Sequence, residues 1–203
     1  MTLRSSADAA GAAAATVLTA ALLLCSDARA ADAAAATHYV LDPAKSSLEF
    51  TFVQAGAQNK GRFTRFQVAF EFAAESLAAS RLDVTVDINS VDSGDEERDE
   101  TLRGGDLFAV AKFPQAHFAA SQINRAASGY EAVGKLTIRG VTHDARVPFA
   151  FRTATENGVA VGYMTGKTSV RRLDYGVGQG DWRATDQVGN DVGVSFALRL
   201  TAH

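Results

Sequence analysis

The chain has 203 residues, of which 47% are hydrophobic and 21% are charged, and its formal charge is −3. This composition indicates one globular domain and excludes both a disordered chain and a polytopic membrane protein. Basic residues are neither in excess nor clustered, which excludes nucleic acid as a partner. The mature chain is also not expected to insert stably into a membrane.

The N-terminus has the features of a secretory signal peptide. Arg4 supplies a basic start, residues 9–25 carry no charge, and Ala28-Arg29-Ala30 fits a small-x-small cleavage site. The alternative is a transmembrane anchor, but the uncharged stretch is short and consists mostly of alanine. We predict cleavage before Ala31 and export to the periplasm. The predicted organisation is a signal peptide over 1–30, a flexible leader over 31–37 and a domain over 38–203.

Cys25 is the only cysteine, and it lies within the predicted signal peptide. Lipoprotein processing would need a small residue before it, but Leu24 stands there. The mature chain is therefore predicted to have no lipid anchor, no disulfide and no thiol catalyst.

From His38 onwards, hydrophobic and polar side chains alternate with a period of two. This pattern is typical of β-strands with one buried and one wet face. Turn residues such as Gly140 and Asn157-Gly158 separate the apolar runs, so neighbouring strands are expected to be antiparallel. The alternation predicts eight to ten strands in an all-β fold. It fits a sandwich and a closed barrel equally well.

One segment, residues 93–104, has helical character instead. Ser93 and Glu96 have the spacing of a capping box, and Arg103 followed by Gly104 is typical of a helix end. We predict a single short helix inserted between strands.

Several motifs, taken in order, resemble those of the YceI-like family of exported lipid-binding barrels. The resemblance covers about residues 38–202 and favours the barrel over the sandwich. It implies a lipocalin-like, extended antiparallel barrel that binds polyisoprenoid-type or other long-chain amphiphiles along its lumen. The matching motifs are HYVLDPAKSSLEF (38–50), GRFTRF (61–66), RDETLRGGDLF (98–108), KFPQAHF (112–118), GKLTIRGVTHDARVPF (134–149), LDYGVG (173–178) and VGVSFALRL (192–200).

If the barrel is hollow, the inward apolar side chains of its strands would line the lumen. The chain has twelve phenylalanines but only one tryptophan and two methionines, and flat rings can line a channel without filling it. The competing interpretation is that these rings simply form a packed core. The predicted lumen residues are Phe50, Phe52, Phe66, Phe70, Val84, Val86, Ile88, Phe118, Leu136, Ile138, Phe149, Phe151, Val161, Tyr163 and Phe196.

Four residues are candidates for the mouth of the barrel. Arg98 and Arg103 on the helix, and Arg171 before LDYGVG, could face a ligand head group, although a solvated helix with ion pairs is the preferred interpretation of the charged helical segment. Trp182, the only tryptophan, either closes the mouth or packs on its rim.

No pattern indicates catalysis. The four histidines are scattered, the glycine-rich run at 176–180 does not open a helix, and no nucleophile or redox motif occurs. We therefore expect no enzyme activity, no metal and no cofactor other than a bound isoprenoid-like lipid.

These features predict a periplasmic carrier for a quinone-type or polyprenyl-type lipid. A stress-related interaction protein with a packed barrel is one alternative, and an accessory partner of quinone-linked electron transfer is another. A homodimer and a membrane electron-transfer partner are both compatible with the leading hypothesis.

Overall fold

The structure is a computed structural model that describes residues 35–203. The predicted signal peptide and its cleavage site lie outside these residues. Within residues 35–203, eleven antiparallel strands form one continuous sheet, one strand more than the predicted range. The strands are β1 Thr37–Leu41, β2 Ser47–Gln54, β3 Ala57–Phe63, β4 Phe66–Phe72, β5 Arg81–Asp87, β6 Val91–Asp92, β7 Gln115–Ala126, β8 Gly129–Ile138, β9 Val141–Glu156, β10 Val159–Arg171 and β11 Asp191–Ala202.

Eight of the strands close into a ring in the order β1-β4-β5-β7-β8-β9-β10-β11, and the ring is completed by pairing of β1 with β11. Closure removes free sheet edges from this part of the molecule. The two-residue turn Asn157-Gly158 joins β9 to β10 with positive φ at both residues, as a type I′ hairpin requires. The predicted all-β barrel is therefore confirmed.

The barrel is extended at one end by the three remaining strands. The last part of β11, around Leu200, pairs with β1, whereas residues 193–197 of β11 pair with β2. Beyond β2, the sheet continues through β3 to the two-residue strand β6. The interior at this end is therefore bounded by β2 and β3 in addition to the strands of the ring.

The predicted helix is present as α1 (Glu96–Arg103), the one α-helix within residues 35–203. Its cap differs from the prediction, because the Asp95 carboxylate, and not Ser93, accepts a hydrogen bond from the Arg98 amide at 3.0 Å. The Ser93 amide instead donates to the buried Asp99 carboxylate at 2.9 Å. Capping by Asp95 satisfies one of the free amides of the first helical turn.

The other end of the barrel is filled by aromatic rings, which we call the aromatic plug. Neighbouring rings lie 4.9–6.1 Å apart between centroids, mostly edge to face, as aromatic pairs prefer. Burial in the plug raises the pKa of Tyr39 above its ordinary value. The plug consists of Tyr39, Phe70, Phe72, Tyr130, Phe149 and Phe151.

No helix within residues 35–203 combines the length and the apolar character that crossing a membrane would require.

Candidate functional site

An apolar cavity of about 260 Å³ occupies the barrel on the side of the plug that faces α1. Along a single strand, the inward residues at one end line the cavity and those at the other end belong to the plug. On β4, Phe66 and Val68 line the cavity, whereas Phe70 and Phe72 belong to the plug. All but six of the 34 residues that line the cavity are apolar or aromatic. The lumen is thus hollow in one half and packed in the other.

Ten of the fifteen residues predicted for the lumen line this cavity. They come from strands on all sides of the barrel and from the short turn that follows β5. All of them face the interior, and those on strands occupy inward positions of the alternating pattern. These residues are Phe50, Phe52, Phe66, Val84, Val86, Ile88, Phe118, Leu136, Ile138 and Phe196.

Three further predicted lumen residues, Phe70, Phe149 and Phe151, point inward but do not reach the cavity. Phe70 has no exposed surface, and its ring centroid lies 5.9 Å from that of Phe149 and 5.1 Å from that of Phe151. Ring-on-ring packing fills the space that a ligand would otherwise occupy. Their role in the structure is to close one end of the barrel.

The prediction for β10 is corrected, because Val161 and Tyr163 lie on the opposite face of the strand from the cavity. Met164, the next residue on β10, lines the cavity. The Tyr163 hydroxyl donates a hydrogen bond to the Glu156 carboxylate. The Arg152 guanidinium lies 4.0 Å from the centre of the Tyr163 ring. Tyr163 is therefore part of an outer polar cluster.

A group of cavity residues around α1 and the loops next to it was not predicted from the sequence. Phe63 ends β3, and Phe108 lies in the loop after α1, with their ring centroids 6.2 Å apart. Leu107, Tyr175 and Val177 form a second small hydrophobic cluster beside the cavity. Loop residues have no strand periodicity, so alternation gave no signal for them.

Six polar side chains line the cavity, and two of them belong to α1. Arg98 and Thr101 of α1 line the cavity, together with Gln54 at the end of β2. Arg98 has one ion-pair contact, to Asp95 at 3.6 Å, and about 29% of its side chain is exposed. Trp182 also lines the cavity and packs on the second hydrophobic cluster. This end therefore offers polar contacts beside an apolar interior.

Arg103 and Arg171, the other two head-group candidates, do not line the cavity. The Arg103 guanidinium donates to the carbonyls of Asn89 and Val91 at 3.3 and 3.1 Å, which joins the end of α1 to the barrel. Arg171 is exposed and forms an ion pair with Asp174 at 3.7 Å. Because side chains alternate along the end of β10, the residue after Arg171 faces the interior instead.

Arg172 is that inward residue, and it is 5% exposed. Its guanidinium donates to four carbonyl oxygens: Gly189 at 2.9 Å, Val177 at 3.0 Å, Trp182 at 2.7 Å and Val188 at 2.7 Å. Desolvation lowers the pKa of Arg172, although an arginine remains protonated at neutral pH. A buried cation held by carbonyl groups thus forms part of the cavity wall.

The described residues contain no group of three or more His, Cys, Asp or Glu side chains arranged to hold a metal ion.

These features define a lipocalin-like β-barrel with an apolar internal cavity. The family model of the YceI-like domain matches residues 39–200. The chain therefore belongs to the YceI-like family. Similar curated proteins include the UPF0312 proteins of Yersinia pestis and Yersinia pseudotuberculosis, which are 42% identical over 82 residues. That match covers 40% of this chain and 43% of each relative, so the chain spans less than half the length of these curated relatives.

Solved structures share the fold. BcnA of Burkholderia cenocepacia has a TM-score of 0.72 and 29% identity, over 78% of this chain and 98% of BcnA. The Campylobacter jejuni YCEI protein has a TM-score of 0.64 and 22% identity, over 71% of this chain and 85% of that protein. A polyisoprenoid binding domain from Saccharophagus degradans has a TM-score of 0.59 and 18% identity, over 81% and 98%. The last two support the fold alone.

Proposed function

We propose that this chain is a carrier that holds the apolar tail of a long-chain lipid in its cavity. The observation that carries the proposal is the closed barrel half filled by the aromatic plug and half hollow, with an almost entirely apolar wall. Apolar cavities with a few polar groups at one side are typical binding sites for small molecules. The proposed mechanism is passive sequestration, with no catalytic step.

The wall suits a slender hydrocarbon. Transfer of each CH₂ group from water to an apolar interior stabilises the complex by about 0.8 kcal/mol. Phenylalanine rings from several strands, such as Phe50, Phe118 and Phe196, offer broad apolar surfaces to a tail. Polar side chains are sparse on the wall, so tail recognition would depend on length and shape rather than on hydrogen bonds.

The head group is proposed to lie at the α1 end of the cavity. Arg98 and Thr101 provide donors there, whereas the opposite end is blocked by the plug. Arginine suits a head group with several acceptor oxygens, such as a quinone ring or a phosphate, because its planar fork carries five donors. A lipid of the quinone or polyprenyl type would therefore bind tail first, with its head beside α1.

The family supports this class of ligand and suggests where it is carried. One structural neighbour is described as a polyisoprenoid binding domain, and we extend that ligand class to this chain. The apolar stretch and small-x-small pattern before Ala31 support export, with a mature domain over 38–203 that acts in the periplasm. There it would exchange lipid with the membrane or with a membrane-bound partner.

A packed barrel that serves only as an interaction module is less compatible with the structure. A fully packed interior would leave no room for a ligand, whereas native interiors rarely contain voids much larger than a water molecule. The cavity of about 260 Å³ would be a costly defect in such a protein.

Native mass spectrometry of the protein purified from the periplasm tests the proposal. We expect an added mass that organic solvent releases and that is identified as an isoprenoid-like lipid. Protein stripped with solvent and refolded should regain the mass when it is incubated with a quinone or a polyprenyl phosphate. A mass that always equals the bare chain, before and after this incubation, would contradict the proposal.

A further inference from the structure

One part of the cavity wall is built from a loop and not from strands. Residues 177–189, which we call the flap, lie in the connection between β10 and β11. They contain a short 3₁₀ turn at Gly180–Arg183 and an isolated antiparallel bridge between Val188 and Gln54. Val177, Trp182 and Val188 are the flap residues that line the cavity. Most of the remaining flap side chains are exposed. The flap therefore separates the cavity from solvent with a single layer of chain.

Arg172 binds the backbone of the same three flap residues that line the cavity. Its guanidinium donates to the carbonyls of Val177, Trp182 and Val188, and in addition to that of Gly189. The flap thus curves around one buried cation, and no carboxylate among the described residues forms an ion pair with it. Gly178 makes this approach possible, since a side chain there would collide with the guanidinium.

The other contacts of the flap backbone are few and lie near its ends. The amides of Gly178 and Gln179 donate to the carbonyl of Asp106 at 2.9 and 2.8 Å. At the far end, the carbonyl of Gln187 accepts from Ala55, and the amide of Gly189 donates to Val53, both at 2.9 Å. Between these ends, the tie from Arg172 to Trp182 at 2.7 Å holds the middle of the flap.

We propose that the flap is the part of the wall that opens to admit and release the ligand, and that Arg172 is the positioning residue that holds it closed. This inference rests on the proposed lipid-binding function. The plug blocks the opposite end, and the strand walls are ladders whose opening would break many backbone hydrogen bonds at once. The α1 wall, which is also not a strand, is joined to the barrel by the Arg103 guanidinium through the carbonyls of Asn89 and Val91. Opening the flap would break only a small set of hydrogen bonds, many of them made by the Arg172 side chain. Of the ways into the cavity, it should therefore cost the least free energy.

The test compares the variants R172K and R171K. A lysine at 172 keeps the charge but has three donors on one nitrogen, so it cannot bridge four carbonyls. Arg171 is the adjacent exposed arginine and serves as the matched control. Each protein is loaded with cis-parinaric acid, and its release to phosphatidylcholine vesicles is followed by stopped-flow fluorescence. We expect R172K to release the probe about tenfold faster than the unmodified chain. The reason is that loss of charge-assisted hydrogen bonds mainly raises the dissociation rate. R171K should release the probe at the same rate as the unmodified chain.

Hydrogen exchange on the unmodified chain gives a second test that does not depend on folding of R172K. Bound probe should slow exchange of the amides in residues 178–188 and leave those in β7 and β8 unchanged. Equal release from R172K and R171K, or equal slowing of exchange across the whole barrel, would overturn the role of the flap. If the unmodified chain binds no probe and also regains no quinone or polyprenyl phosphate after stripping, it is the proposed function that fails.

Discussion

Val84 and Thr85 are neighbours on β5, but only Val84 lines the cavity. The same alternation decides the environment of each residue along most strands, so a single step along the chain moves a side chain from the lumen to the outer surface. Adjacent residues on one strand therefore provide matched pairs for testing the cavity.

Val84→Trp is expected to weaken the binding of long-chain lipids. The indole would extend into the cavity and occupy the space that we assign to the tail, so affinity for a long-chain lipid should fall at least about tenfold, equivalent to about 1.4 kcal/mol. Thr85→Trp places the same ring on the outer face and should bind as the unmodified chain does. Titration of a fluorescent lipid, with thermal unfolding as a check on the fold, measures both variants. Equal affinity for all three proteins would show that the lipid does not enter this cavity.

Glu156 is expected to make stability depend on pH. The Tyr163 hydroxyl, followed by the Arg199 guanidinium, holds the pKa of the Glu156 carboxyl below its ordinary value. A carboxyl with a depressed pKa binds protons more readily in the unfolded state, so it stabilises the fold above its unfolded pKa of about 4.3. This contribution is lost as pH falls through the lower, folded pKa.

Urea unfolding at neutral pH and at pH values around and below about 4 measures this effect. The midpoint of the unmodified chain should fall with pH more steeply than that of Glu156→Gln, which lacks the titrating group. Glu75→Gln removes an exposed carboxylate and is the control. If Glu156→Gln and Glu75→Gln follow the same pH dependence as the unmodified chain, the Glu156 cluster does not contribute.

At the scale of strands, the interior of β10 is shaped by glycines that face phenylalanines. Gly166 pairs with Phe196 on β11 and with Phe149 on β9, and a Cβ at Gly166 would overlap the Phe196 ring. Gly162 pairs with Thr153 on β9, but a Cβ at Gly162 would likewise overlap the Phe151 ring, whose nearest carbons would lie at 2.6 Å. The rings cover the bare backbone of the neighbouring strand, which lets large aromatic residues fit inside a narrow barrel.

Gly166→Ala should therefore destabilise the barrel through overpacking. Small-to-large changes in a packed interior typically cost about 1–3 kcal/mol. Gly105→Ala is the control, because a Cβ at Gly105 meets no atom within 4 Å. The free energy of unfolding from urea titrations separates the two variants. Equal stability of both would mean that the Phe196 ring moves aside without cost.

These glycines also explain why the inward face of β10 was predicted wrongly from the sequence. On β10 the inward positions include Gly162 and Gly166, which have no side chain. The other face carries Tyr163 and the fully buried Val161, which do not line the cavity, so the apolar pattern suggests the wrong face. β5 and β8 were predicted correctly because their inward residues are apolar and their outward residues are polar. The plug and the cavity have the same strand pattern, and only the packing of rings in three dimensions separates them. Loop residues such as Phe108 were missed as wall residues because period two has no meaning outside strands.

At the scale of the whole molecule, the barrel has two unlike ends. Eight strands close around the aromatic plug at one end, whereas at the other end the same barrel strands, joined by β2, β3, α1 and the flap, surround the cavity. The plug fixes the deepest point that a lipid tail can reach. A ligand that binds tail first therefore has a definite maximum length inside the protein, beyond which additional carbons remain outside.

This geometry predicts how affinity depends on tail length. In a series of isoprenoid or fatty acyl ligands with one head group, affinity should rise by up to about fourfold for each added CH₂, the equivalent of about 0.8 kcal/mol. The rise should end at a length at which the tail meets the plug, because further carbons gain no burial in the protein. Isothermal titration calorimetry of the series measures this break, and the heat capacity change of binding, which reports burial of apolar surface, should become constant at the same length. In Val84→Trp the break should shift to shorter tails, while in Thr85→Trp it should stay in place. An increase that continues without a break would show that the lipid lies along the outside of the barrel or passes through it, and would contradict a cavity closed at one end.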